Sequence, residues 1–196
     1  MSLLSAKVCD KIAIMLNQIE KGAKWPQSAT HAKVGYLEKA GAVMGKVMSY
    51  RPLTITCPLY RCYATMRLED LQGWIRSWAL SEIHAGVPGV GAVDAWHSAL
   101  TRIEDIKIDE GKFSGAVADI AKFFDQILRS LVYKLAAAAG MPSRVLTAYE
   151  SFVENLLVYN CLAGGLGTPC TRRCGIPQGC PVLNDAGGID NESMDS

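Results

Sequence analysis

The chain has 196 residues, of which 49% are hydrophobic and 20% are charged, and its formal net charge is +1. This composition supports one sizeable buried core, or one core with a small lobe, and it excludes overall disorder. The low net charge hides an asymmetry, because residues 182–196 hold four Asp and Glu residues and no Lys or Arg. The rest of the chain is therefore mildly basic, which is compatible with nucleic-acid binding.

The N-terminal segment has an amphipathic pattern and lacks the pattern of a secretory signal. Apolar residues recur at helical spacing through Val8, Ile12 and Ile19, while Lys7 and Asp10 interrupt the run. We predict a helix there, and reduced cysteines in an intracellular protein, nuclear or cytoplasmic. No apolar run approaches the length of a membrane span, so we expect a chain that is neither secreted nor membrane-spanning.

The next segment predicts a β-hairpin followed by helices. Alternating apolar residues indicate strands over 31–38 and 50–57, joined by a loop over 40–49. Helical periodicity then predicts helices over 58–79 and 92–107.

The C-terminal half predicts a strand over 116–119, a helix over 124–139 that ends at Gly140, and a helix over 143–157 capped by Ser143. A hairpin is predicted over 158–176. The acidic tail from 184 has no periodicity, and we expect it to be disordered. The resulting fold class is α+β, rich in helices.

Two short motifs carry the chemistry. Residues 119–125 read D-I-A-K-F-F-D, and a carboxylate that ends a buried strand can hold a divalent metal ion beside a phosphate. Residues 175–181 read G-I-P-Q-G-C-P, where glycine lets the backbone approach a substrate. Structural roles are also open: Asp125 can cap the following helix, Phe123 and Phe124 can pack in the core, and the second motif can be an ordinary turn.

Together these motifs resemble motifs A and B of reverse transcriptases, specifically those of LINE-type (non-LTR) retrotransposons. Upstream, V-G-Y-L-E-K-A-G at 34–41 and Y-R-P-L at 50–53 resemble the fingers hairpin of that family. The resemblance implies a right-hand polymerase with fingers over 30–115 and a partial palm over 116–183. An N-terminal helix and linker (1–29) would precede them, and the disordered tail (184–196) would follow.

The resemblance also implies roles in the palm. Asp119 would be the catalytic carboxylate that binds Mg²⁺, and the backbone carbonyl of Ile120 would supply a further metal ligand. Phe124 would lie beneath the incoming sugar and exclude a 2′-OH, and Gln178 with Gly179 would lie against the incoming nucleotide.

In the fingers, the resemblance implies that Lys39 and Arg51 contact the triphosphate, which suits an ammonium and a planar guanidinium. Arg61 and Arg67 would lie near the template backbone. The implied partners are an RNA template, a DNA primer and a dNTP.

The family's next motif, an aromatic-x-Asp-Asp turn, does not occur in the 196 residues. We therefore expect a fragment of an RNA-directed DNA polymerase, truncated after motif B and inactive alone. The alternative is a non-catalytic nucleic-acid-binding or interaction remnant. Zinc binding is not favoured, because Cys170, Cys174 and Cys180 lack paired C-x-x-C spacing.

Overall fold

The computed structural model describes residues 4–41, 43, 46, 49–120, 122–162, 164–178 and 180. Within them the chain folds as an α+β domain with six α-helices and one small mixed sheet. The helices are α1 (Ala6–Glu20), α2 (Pro58–Trp78), α3 (Ala92–Ile108), α4 (Phe123–Gln126), α5 (Arg129–Ala138) and α6 (Ser143–Glu154). The strands are β1 (His31–Glu38), β2 (Tyr50–Ile55), β3 (Leu157–Leu162), β4 (Gly165–Leu166) and β5 (Cys170–Thr171). No helix in these ranges is long and apolar enough to cross a membrane.

The sheet joins the two halves of the chain. β1 and β2 form the antiparallel hairpin expected from the sequence, with Val34 opposite Thr54. β3 lies parallel to β1 on the other side, and both β4 and β5 pair antiparallel with β3. The hairpin near the N-terminus is therefore fixed to the segment that leads into the second motif.

Helices cover one face of the sheet, and no described element covers the other, which we call the uncovered face. Ala32, Val34 and Val158 are buried in the main core, which also contains residues of α1, α2, α5 and α6. Strand residues that flank a buried residue point to the other face, as the two-residue period of a strand requires. On β2, for example, Leu53 and Ile55 flank the buried Thr54 and are 38% and 51% exposed.

Aromatic rings form the centre of the core. The ring of Trp25 meets those of Tyr60, Tyr63 and Phe152 edge-on, with centroid distances of 5.6, 5.3 and 5.4 Å. Its indole Nε1 donates a hydrogen bond to the carbonyl of Ala148 at 2.9 Å. Such T-shaped contacts stabilise beyond their buried area. They fix the irregular segment after α1 between α2 and α6.

The expected N-terminal helix, the helices over 58–79 and 92–107, and the C-terminal end at Gly140 are confirmed. Four expectations are wrong. The helix over 124–139 is broken between α4 and α5, and residues 116–119 are not a strand. Ser143 is the first residue of α6, so Pro142 occupies the cap position. The C-terminal hairpin is shorter than predicted, because its last strand is β5 and not 172–176.

Candidate functional site

Residues 111–120, which lead into the first motif, have neither helical nor strand structure, and all of them are exposed. Val117 is fully exposed and Ile120 is 64% exposed. A strand needs a neighbour to satisfy its backbone groups. No described strand pairs with residues 116–119. The strand expected there does not form for this reason.

Asp119 is consequently not part of an assembled metal site. It makes no hydrogen bond or ion pair in the described part of the chain. No group of three or more His, Cys, Asp or Glu side chains there could hold a metal ion. Mg²⁺ requires near-octahedral oxygen ligands, commonly including one or two carboxylates. Among the described residues, no further carboxylate joins Asp119 and the backbone carbonyl of Ile120 to complete such a ligand set.

The end of the first motif, in contrast, is firmly held. Lys122 has a left-handed backbone conformation with φ of 53° and precedes α4 as its N-cap residue. Phe124 is half-buried, whereas Phe123, for which a core position was expected, is 47% exposed. The two rings meet edge-on at 5.6 Å. Phe124 therefore lies at the more enclosed position of the pair.

Backbone hydrogen bonds join the two motifs at a contact that we call the motif junction (residues 124–129 and 175–178). The N–H of Ile176 donates to the carbonyl of Phe124, and the N–H of Gly175 donates to that of Ile127, both at 2.8 Å. These bonds use carbonyls that a continuous helix over 124–139 would have used internally. They account for the break between α4 and α5.

Gly175 allows this close approach. Its φ is +77°, and a Cβ placed there would lie 2.8 Å from the carbonyl oxygens of Phe124 and Asp125. Both the backbone conformation and the available space therefore require glycine. The glycine of the second motif is explained by contact with the first motif.

Arg129 fixes the junction from the inside. Its side chain is 6% exposed, and its Nε donates to the carbonyl of Gly175 at 2.6 Å. Its Nη1 donates to the carbonyl of Val153 at 3.4 Å and lies 3.5 Å from Glu154 Oε2. The sequence reasoning missed this residue. The available signal was a cation within the apolar run Ile127–Val132.

Polar side chains close the outer side of the junction. Asp125 Oδ1 lies 3.5 Å from Arg172 Nη1, with both side chains about one-third exposed. Gln178 Nε2 donates to Asp125 Oδ2 at 3.4 Å. The structure thus brings Gln178 to Asp125, the second carboxylate of the first motif. The helix-capping role expected for Asp125 is wrong, because α4 has no side-chain cap.

The hairpin reaches the same junction through its backbone. Thr54 of β2 donates its N–H to the carbonyl of Gln178 at 2.8 Å. Arg51 lies three residues back along the strand, about 10 Å away at the usual strand rise, and is exposed. Lys39 is exposed as well, and its N–H donates to the carbonyl of Ser49, closing the hairpin at 2.9 Å. Gly179 lies outside the described residues.

The two further cations of the fingers differ. Arg61 is exposed on α2. Arg67 is engaged by Glu20 at 2.5 Å and by Asp70 at 2.6 Å. Burial opposes the charge, but the hydrogen bonds that Arg67 donates to Asp70 and Glu20 raise its pKa. Arg67 therefore connects α1 to α2, and its guanidinium is already occupied.

Comparison with known protein families finds no family model that matches the chain, and comparison with curated proteins finds no significant match.

Proposed function

We propose that these residues are the fingers and the first part of the palm of an RNA-directed DNA polymerase of the LINE (non-LTR) type. One observation carries the proposal. Three segments that resemble separate polymerase motifs, and that lie far apart in the chain, meet at the motif junction. Thr54 belongs to the hairpin, Phe124 to the first motif and Gln178 to the second.

The geometry of the junction supports a nucleotide site beside Gln178. The amide of this side chain is oriented by Asp125, which Arg172 contacts in turn. An amide held in this way presents its remaining polar atoms in a fixed direction, which suits recognition of a sugar or base edge. Phe124 stands on the neighbouring turn, where its ring could exclude a 2′-OH by bulk.

Arg51 and Lys39 extend the proposed site along the hairpin. Arg51 is exposed on β2 and makes no ion pair with a described residue, so its guanidinium can donate two parallel hydrogen bonds to a phosphate. The proposal assigns triphosphate contact to these two cations. It assigns Mg²⁺ binding to the complete polymerase, to which these residues would contribute Asp119 and the backbone carbonyl of Ile120.

The first test is primer extension on an RNA template. We expect no template-dependent dNTP incorporation by the 196 residues alone. An incomplete two-metal site stabilises the transition state by several kcal/mol less than a complete one. Each missing group lowers the rate by roughly 10²- to 10³-fold. Incorporation that disappears in Asp119→Ala would contradict this expectation. A complete reverse transcriptase serves as the positive control.

The family assignment itself is tested on the coding DNA. The DNA downstream of the codon for Pro181 is translated in all three forward frames. An aromatic-x-Asp-Asp segment in one frame supports a polymerase whose remaining palm lies there. Its absence from every frame would overturn the assignment.

The exposed position of Asp119 favours a second candidate function. A carboxylate in an irregular, exposed segment, without described partners, suits a non-catalytic nucleic-acid-binding or interaction remnant. Such a protein would keep the hairpin cations and need no catalytic carboxylate. The coding-DNA test separates the two candidates. An aromatic-x-Asp-Asp segment downstream favours the polymerase, and its absence from every frame favours the non-catalytic remnant.

A further inference from the structure

The uncovered face of the sheet contains a cavity of about 430 Å³, which we call the sheet cavity. Its lining includes His31 and Lys33 of β1, Ile55 of β2, Tyr159 of β3 and Leu166 of β4. It is thus built by four neighbouring strands. No residue of the motif junction lines it.

Flat and apolar groups form the walls. The rings of His31 and Tyr159 lie 5.6 Å apart between centroids, tilted by 47°. Ile55 and Leu166 stay 51% and 55% exposed beside them. A planar aromatic ligand can stack on the Tyr159 ring and displace water from these aliphatic side chains.

The charge of the surrounding face selects the kind of planar ligand. Lys33 is exposed in the cavity wall, and Arg51 is exposed on the same face of β2, as strand alternation from Ile55 requires. The strand residues that share this face include no Asp or Glu, since Glu38 belongs to the opposite alternation. A planar ring joined to a negative group is complementary to this surface.

We propose that the sheet cavity binds a nucleobase of single-stranded nucleic acid. The base stacks on Tyr159, and the adjoining phosphate lies near Lys33. The strand continues along the uncovered face, so that Lys33 and the stacking platform act on successive nucleotides. This inference rests on the proposed nucleic-acid binding, but it adds a contact to the bases that phosphate binding does not require.

Fluorescence anisotropy tests it with two labelled strands of about ten nucleotides, the size that such surfaces cover. One is oligothymidylate, and the other is an abasic strand of the same length. We expect the unaltered chain to bind oligothymidylate more tightly. Tyr159→Leu should weaken that binding by about 5- to 100-fold, as expected for losing one stacked base. It should leave the abasic strand unaffected.

Tyr159→Phe is the matched control, because it keeps the ring and should keep the affinity. Equal affinity of the unaltered chain for both strands would overturn the inference, and this comparison needs no variant to fold. Equal loss in the Phe and Leu variants would also overturn it. Thymidine monophosphate that binds as tightly as the strand would assign the cavity to a free nucleotide and overturn the strand assignment.

The same titration separates this inference from the proposed function. Strong binding of both strands that falls steeply with salt, without a preference for bases, leaves phosphate binding intact and rejects only the base pocket. If neither strand binds at low salt, nucleic-acid binding is rejected, and with it both proposals.

Discussion

At the scale of single residues, Gly175 is the position where the two motifs depend on each other most directly. Its hydrogen-bonded N–H and its missing side chain both serve the turn formed by Phe124–Ile127. The conformation alone is costly for any other residue, and here a side chain would also enter space occupied by backbone. These two costs can be measured apart, because other glycines of the chain share only the first.

We predict that Gly175→Ala destabilises the fold far more than Gly140→Ala. Gly140 also has positive φ, at +80°, but a Cβ there would meet nothing within 4 Å. The free energy of unfolding of the control should therefore fall only by the conformational cost, about 1 kcal/mol. Gly175→Ala adds displacement of two carbonyls, for a total of roughly 2–5 kcal/mol. Urea denaturation measures both. Equal losses would show that the junction is not tightly packed.

The motif residues themselves were identified from the sequence more readily than their partners. The second motif was singled out because Gly175, Pro177 and Gln178 stand in a specific order. Nothing in that order revealed that Gln178 contacts Asp125 and not Asp119, since the choice depends on how the intervening chain folds back. A spacing pattern indicates residue types that can act together, and contacts between distant segments decide which of them meet.

At the scale of elements, α5 depends on a side chain that points into the protein. Arg129 is the first residue of this helix and binds the carbonyl of Gly175, reaching also toward α6 through Val153 and Glu154. A buried guanidinium needs acceptors for its N–H groups, and here Nε and Nη1 donate to carbonyl oxygens while the Glu154 carboxylate lies 3.5 Å from Nη1. The helix and the second motif are therefore held by one residue.

We predict that Arg129→Met lowers the free energy of unfolding by about 2–4 kcal/mol, because hydrogen bonds from a charged donor to buried carbonyls are lost. Arg144→Met is the matched control. Its side chain is 66% exposed and lies 3.7 Å from Glu20, so the loss should stay below about 1 kcal/mol. Guanidinium chloride denaturation compares the two variants. A similar loss in both would contradict the role given to Arg129.

Elements whose interactions are local were predictable, and elements that depend on distant partners were not. The hairpin of β1 and β2, and the helices α2 and α3, carry their own periodicity, and the structure confirms them. The helix expected over 124–139 was divided because Ile127 gives its carbonyl to Gly175. The strand expected over 116–119 has apolar alanine and valine residues but no described neighbour. Sequence periodicity indicates which segments favour a helix or a strand. The divided helix and the missing strand depended instead on hydrogen bonding to distant segments.

At the scale of the whole molecule, one aromatic core joins the helices to the sheet, and tyrosines make up much of it. Tyr60, Tyr63, Tyr133 and Tyr149 are all buried. Burial raises the pKa of each, and nearby acidic groups raise it further, Cys180 for Tyr60 and Glu20 for Tyr63. The core is consequently stable only while these hydroxyls stay neutral. The composition showed that a core exists, but it could not show which tyrosines enter it.

We predict that the protein loses stability steeply in alkaline solution. A group whose pKa is higher in the folded state than in the unfolded state contributes its full stability below the unfolded value, here near 10.0. That contribution is lost as the pH rises from there through the folded pKa, because only the unfolded chain then releases the proton. Each such tyrosine adds a slope of about 1.4 kcal/mol per pH unit in that window. Stability should therefore be flat with respect to these groups up to about pH 9.5 and fall above it.

Tyr149→Phe isolates one of these contributions. The Tyr149 hydroxyl has no hydrogen-bond partner in the described part of the chain, so its removal should not weaken the fold at pH 7. Tyr133→Phe is the control at pH 7, because it loses a hydrogen bond to Glu154 of 2.9 Å and should cost about 1 kcal/mol. Urea midpoints measured from pH 7 to 11 should fall less steeply for Tyr149→Phe than for the unaltered chain. Parallel curves above pH 10 would mean that Tyr149 ionises as easily in the folded protein as in the unfolded chain, and the aromatic core would then be more open to water than its packing indicates.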